Sequence, residues 1–176
     1  MAVYTIEWKY SFGGAAQPTI VEYLEADSQT FKIGAPVVYD QSDAGLKVFT
    51  KTVAALTGFA LKAATNVTTG NATIPVLFVQ SSDVFSATIS AAGANSAGVH
   101  ALTSLGHGYG IIASTESGET TKYTVDQSDT TNDWAVPFAL DPRDDAATSG
   151  GRVYFYVNLP VIGLTGGLTL LERAVD

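Results

Sequence analysis

The chain has 176 residues, and its 17 acidic against 9 basic side chains give a net charge of −8 that repels phosphate backbones and excludes nucleic acid from the expected partners. A chain of this length buries about 70% of the surface its unfolded form exposes, so one domain with a self-sufficient core is expected, and the absence of cysteine rules out disulfides. Lack of cysteine fits folding in a reducing cytoplasm; no apolar run approaches the roughly 18 residues that span a bilayer, and Met1 to Tyr10 lack the basic-then-apolar pattern of a signal peptide, so no membrane is expected either.

Met1 to Phe12 carry the cleanest alternation: Tyr4, Ile6, Trp8, Tyr10 and Phe12 on one side of an extended chain, Thr5, Glu7, Lys9 and Ser11 on the other. Gly13, Gly14 and Ala15 then separate this ribbon from the body of the chain. Two readings stand side by side. One is a first core strand paired within the domain. The other is an arm, residues 1–14, ahead of a single β-rich domain over residues 15–176; such an arm adds a strand to a neighbouring chain, with its aromatic residues as anchors.

Thr19 to Leu24 form a second β-prone run, closed by the polar turn Glu25 to Thr30. From Phe31 to Val79 turn signals fall at strand-length intervals and predict a compact β unit. One strand passes through Phe31, Ile33 and Val37 to Tyr39, interrupted by Gly34 and Pro36; a second covers Leu46 to Val53; a third alternates on Phe59, Leu61 and Ala63. Ile74 to Val79 are a continuous apolar run of the kind buried on both faces. Pro36 and Pro75 lack a ladder donor and are expected at a strand start, an edge or a bulge.

Val84 to Ile89 predict another strand. Between Ser90 and Gly106 small residues dominate, and Val99, Leu102 and Leu105 recur at every third position, which predicts one short helix or an irregular loop, with Asn95 or Ser96 as cap. Gly108 to Ala113, Lys122 to Val125, Trp134 to Leu140 and Val153 to Val161 read as strands, the last with Tyr154 and Tyr156 on an aromatic outer face. The tail supplies at most one more, around Leu168 to Leu171. The expected class is therefore all-β: a compact sandwich or barrel-like domain of many short strands, with an extended N-terminal arm and at most one short helix. The tetrapeptide Asp-Gln-Ser-Asp occurs at residues 40–43 and 126–129, each time after an apolar strand end, but the flanks do not align and four residues do not establish a duplication.

The order Phe31, Gly34, Pro36, Val37, then Gly58, Phe59, Ala60, Leu61, then Ile74, Pro75, Val76, Leu77 resembles the β-rich decoration, or cement, proteins of tailed-bacteriophage capsids. Asp126, Ser128, Asp129, Asp141, Pro142, Asp144, Gly151, Arg152, Val153 and Phe155 are similar to the second half of its longer members. The resemblance implies a non-enzymatic virion protein on the outer capsid surface, made in the host cytoplasm. Its partners would be the major capsid protein and two further copies of itself, as a homotrimer at three-fold and quasi-three-fold positions. It also implies a capsid-binding role for an arm carrying Tyr4, Ile6, Trp8, Tyr10 and Phe12. A net negative charge suits the face turned away from packaged DNA. The alternative is a tail or fibre component whose exposed Tyr and Trp side chains bind host-surface carbohydrate.

No catalytic constellation is expected. Nucleophilic catalysis needs an activated Ser, Thr or Cys, yet cysteine is absent and no serine lies in a Gly-x-Ser-x-Gly context. The two histidines, His100 and His107, are too far apart for the paired spacing of a zinc-binding helix. Asp40 and Asp43, Asp126 and Asp129, and Asp141, Asp144 and Asp145 gather at turns, where Asp side chains bond backbone two residues on; calcium is the weaker explanation, because no stretch matches an EF-hand loop. No metal and no cofactor is expected.

Overall fold

Alternating apolar residues become short strands throughout the computed structural model, which describes residues 6–49, 56–68, 72–91, 96–97, 105–113, 123–131, 134–145 and 150–158. In chain order the strands are β1 (Glu7–Ser11), β2 (Ile20–Leu24), β3 (Pro36–Asp40), β4 (Gly45–Val48), β5 (Gly58–Ala60), β6 (Thr73–Phe78), β7 (Asp83–Ala91), β8 (Ser96–Ala97), β9 (Gly110–Ala113), β10 (Tyr123–Asp126), β11 (Ala135–Leu140) and β12 (Arg152–Val157). The fold is all-β, and the described residues contain no helix. A five-stranded sheet runs β2-β6-β5-β3-β4, and a seven-stranded sheet runs β11-β12-β7-β10-β9 with β1 and β8 attached to β7.

Each sheet curls until its ends meet. In the five-stranded sheet Glu25, just past β2, lies opposite Leu46 of β4, and the Ala26 N–H donates to the Leu46 carbonyl at 3.0 Å. In the other, Tyr109 before β9 exchanges two backbone hydrogen bonds with Ala135 of β11, at 2.8 and 2.9 Å. The interior of the first ring holds Val37, Leu46, Ala60, Ile74 and Val76, capped by Phe31 and Ala35 from the loop before β3. The second encloses Phe85, Ala87, Ile89, Tyr109, Val125, Val153, Phe155 and Val157, joined from the first ring by Leu56, Phe59, Leu77 and Val79. The two rings therefore share one core, and Phe85 stands at its centre with ring centroids 5.2 Å from Phe59 and 5.7 Å from Phe155. Burying such a side chain contributes about 2–3 kcal/mol.

The rings repeat one topology. With β2 to β6 numbered one to five in the first, and β7, β9, β10, β11 and β12 in the second, both close in the order one-five-four-two-three, and in both the contact between strands one and three is the parallel one. The registers also coincide. Val21–Val76, Ala60–Val76, Val37–Gly58, Tyr39–Leu46 and Glu25–Leu46 in the first ring have as counterparts Phe85–Phe155, Pro137–Phe155, Tyr109–Ala135, Ile111–Val125 and Ile89–Val125 in the second. The Asp-Gln-Ser-Asp echo is not part of this repeat. In each copy the first Asp forms the expected Asx turn, the Ser42 N–H bonding Asp40 Oδ1 at 2.8 Å and the Ser128 N–H bonding Asp126 Oδ1 at 2.9 Å, but Asp40 ends strand two of its ring and Asp126 ends strand three.

Several strand boundaries differ from the sequence reading for physical reasons. Phe31 to Ala35 form a turn, with Gly34 at φ 84°, and strand β3 begins only at Pro36, the strand-start position open to proline. β5 spans three residues, because Leu61 leaves the ladder after donating its N–H to the Pro75 carbonyl. Pro75 sits inside β6 rather than at its start: its carbonyl accepts from the Leu61 N–H, but its nitrogen has no hydrogen to return the bond, and the β5 ladder stops there. Ser96, read as a helix cap, lies in β8 paired with Ala91. Asn95, Val99, Leu102, residues 50–55, Leu159 to Val161 and Leu168 to Leu171 lie outside the described residues.

Candidate functional site

β1 lies antiparallel along β7 of its own chain, with Trp8 opposite Phe85 but Tyr10 opposite Val84, so Lys9 is an extra residue in the ladder. Such a bulge reverses the alternation beyond it. Trp8 shares the face of Phe85 and packs on the core beside buried Ile6, whereas Tyr10 emerges on the outer face. The aromatic ribbon of the N-terminus is thus split between interior and surface. β11 carries a second irregularity, with Pro137 opposite Phe155 and Ala139 opposite Tyr154, which leaves Phe138 unpaired between them.

The two bulges and the outer side of β12 build a continuous aromatic face. Ring centroids step from Tyr154 to Tyr10 at 6.4 Å, Tyr10 to Phe12 at 5.4 Å, Phe12 to Phe138 at 5.9 Å and Phe138 to Tyr156 at 6.1 Å. Phe12 is 68% exposed, Tyr10 38% and Tyr156 37%. Edge-to-face and tilted pairs of this kind gain about 0.5–1.5 kcal/mol each, which orders the rings while leaving their surface in water.

No protein-family model matches the chain, and no curated protein does. The site therefore stands on its own geometry.

One end of the aromatic face rests on a charged clamp. Asp141, fully buried, accepts from Ser86 Oγ of β7 at 2.9 Å and from Arg143 Nε at 3.0 Å, while Arg143 reaches Glu7 Oε2 of β1 at 3.2 Å. Burial pushes the Asp141 carboxyl up, but the Arg143 and Ser86 hydrogen bonds outweigh it and hold the group well below the usual carboxylate range. Burial likewise raises Glu7, and the stronger sum from Lys9 and Arg143 lowers it. Tyr154 is raised by burial and then by the Asp141 charge, so its phenol stays protonated at the edge of the face. Alongside, Arg152 pairs with Asp144 at 2.8 Å and brings its carboxyl down to about 2. The clamp ties β1, β7 and the loop after β11 together.

Of the residues singled out in the sequence, Tyr10 and Phe12 reach this face; Trp8 is half-buried and donates Nε1–H to Asp83 at 3.2 Å; Ile6 is core; Tyr4 lies outside the described residues. Phe138, Arg143 and Asp141 were not singled out for it. Tyr154 and Tyr156 were legible as the outer side of their strand, but no local pattern announces that Phe138 meets Phe12 across 126 positions of chain, the difference of their residue numbers. His107 is exposed beside Tyr109, and His100 lies outside the described residues. Among the described residues no three His, Asp or Glu side chains gather in a metal-holding group. The site offers stacking area with a polar rim.

Proposed function

We propose that the protein is a non-enzymatic capsid decoration protein of a tailed bacteriophage, seated on the outer surface of the icosahedral head and stabilising contacts between major capsid protein subunits. The observation that carries the reading is the exposed chain of rings Tyr154, Tyr10, Phe12, Phe138 and Tyr156. Aromatic side chains held rigidly on a sheet are the residues that dominate protein–protein contacts once desolvated. The resemblance in the strand motifs and the net charge of −8 support the outer face of the head as the place. A standard contact of about 1,600 Å², repeated at every symmetry-related site, would resist the outward pressure of packaged DNA. Three copies around each three-fold axis suit that geometry.

In this reading β1 serves by holding Tyr10 and Phe12 on the surface of its own chain, and no exchange of the N-terminus between chains is needed. The same rings also suit stacking on sugar faces, with Arg143 and Glu7 beside them as polar partners, which is the case for a tail or fibre component that binds host carbohydrate. Virions that lack the gene distinguish the two. Heads that burst on heating or chelation support decoration; sturdy heads that no longer adsorb to cells overturn it in favour of the carbohydrate reading.

A further inference from the structure

The two edges of β2 are not alike. Toward β6 the Phe78 N–H donates to the Thr19 carbonyl at 2.9 Å and the Glu25 N–H to the Ala72 carbonyl at 3.0 Å. Since backbone groups alternate in direction along a strand, Ile20, Glu22 and Leu24 turn theirs to the other edge. There β4 meets the chain only at the end of β2, around Leu24, Glu25 and Ala26. Among the described residues no strand lies beside Ile20 and Glu22 on that side, and Ile20 and Leu24 are 54% and 53% exposed.

The second ring shows what such an edge accepts. β7 holds in its ring the place that β2 holds in the other, with Val21 equivalent to Phe85, so Ile20 and Glu22 correspond to Val84 and Ser86. On β7 those two residues face β1, laid antiparallel with Tyr10 opposite Val84 and Glu7 opposite Ser86. The edge that β1 covers on one ring is left uncovered on the other by the described residues.

We propose that the open edge of β2 is a docking site for an extended, antiparallel strand of a partner protein that places a basic residue opposite Glu22 and apolar residues two positions to either side. Glu22 lies between Ile20 and Leu24 on the same exposed face, and residues directly opposite one another across a ladder interact most strongly. A second copy of β2 is the wrong occupant, because antiparallel pairing centred on Glu22 would set it against its own like charge. Backbone bonds to Ile20 and Glu22 supply affinity, while the alternating side chains supply the choice of partner. The site lies on the ring opposite to the aromatic face and does not depend on that face's role.

The probe is the capped peptide Thr-Val-Thr-Lys-Thr-Val-Thr, compared with its counterpart carrying Glu for Lys, in amide hydrogen exchange on the intact chain. The Lys peptide is expected to slow exchange at Ile20 and Glu22 by about tenfold or more, leaving Val21 and Tyr23, already bonded toward β6, unchanged. Glu22→Lys, at an exposed position, is expected to reverse the preference between the two peptides. The proposal is overturned if neither peptide slows Ile20 and Glu22, if these amides are already slow in the free protein, or if Glu22→Lys leaves the preference as it was.

Discussion

The clamp around Asp141 shows why a buried carboxylate is tolerated beside the aromatic face. Its desolvation is offset by the Ser86 hydroxyl and a guanidinium that also engages Glu7. Arg143→Ala leaves that charge buried without its cation and is expected to lower stability by about 2 kcal/mol, less than the ~3–5 of a sealed pair because the Arg143 side chain is 40% open to water. The sign with pH comes from the depressed carboxyls. Asp141 and Asp144 titrate lower in the folded chain than their ordinary 3.8, so their stabilisation is complete above about pH 4 and is lost as pH falls through the folded values, near 2 for Asp144. Urea midpoints of the wild type should therefore drop between about pH 4 and pH 2, and those of Arg143→Ala should drop less; equal slopes would remove Arg143 as the cause. Glu25 obeys the same logic in the first ring. Burial raises it, yet the Thr65 hydroxyl and N–H, the Ala72 N–H and the Lys62 charge lower it further. Neither clamp was legible in the sequence, where an Asp after a strand and a Glu opening a turn look like ordinary loop residues.

Among the elements, β1 depends most on a single inserted residue. Lys9 decides that Ile6 and Trp8 enter the core while Tyr10 and Phe12 remain outside. Deleting Lys9 makes Trp8 and Tyr10 neighbours in a regular ladder, with Trp8 still opposite Phe85 and Tyr10 still opposite Val84, so both faces are kept. Tryptophan emission is expected to stay at its wild-type position, with a stability change of about 1 kcal/mol or less. A red shift would mean that β1 does not re-form in this register. Strand existence was largely visible, from a continuous apolar run in β6 and from alternation in β12. The faces of β1 were not: a strict period of two over residues 4–12 predicts one aromatic side, and no feature of Lys9 marks it as unpaired. Boundaries near Gly34 and Leu61 moved because Gly34 turns the chain at φ 84° and because Leu61 makes its last ladder bond to Pro75, which has no N–H to return it.

At the scale of the molecule, the compact unit read between Phe31 and Val79 is most of the first ring, with β2 added in front. The strand on which the whole depends is instead β7, which pairs with β1, β8, β10 and β12. The repeat of the ring stayed hidden because equivalent core positions hold different residues: Val37 and Tyr109, Leu46 and Val125, Val76 and Phe155. Since Phe59 and Leu77 of the first ring fill the core of the second, the rings are expected to unfold together. Phe59→Ala, costing about 3–5 kcal/mol, should lower one shared midpoint seen alike by circular dichroism and tryptophan emission, and two separate transitions would show independent rings.

The most direct measurement is a titration of the labelled protein onto purified empty phage heads, comparing wild type with the double variant Phe12→Ser, Tyr156→Ser. The variant loses the ring contacts of Phe12 with Tyr10 and Phe138 and of Tyr156 with Phe138, so its midpoint is expected to fall, and binding is compared at a temperature where circular dichroism shows both proteins folded. Removing them from the centre of a contact is expected to weaken binding by about 30-fold or more, the equivalent of ~2 kcal/mol. Wild-type affinity in a folded double variant would contradict the assignment of the aromatic face as the surface through which this protein acts.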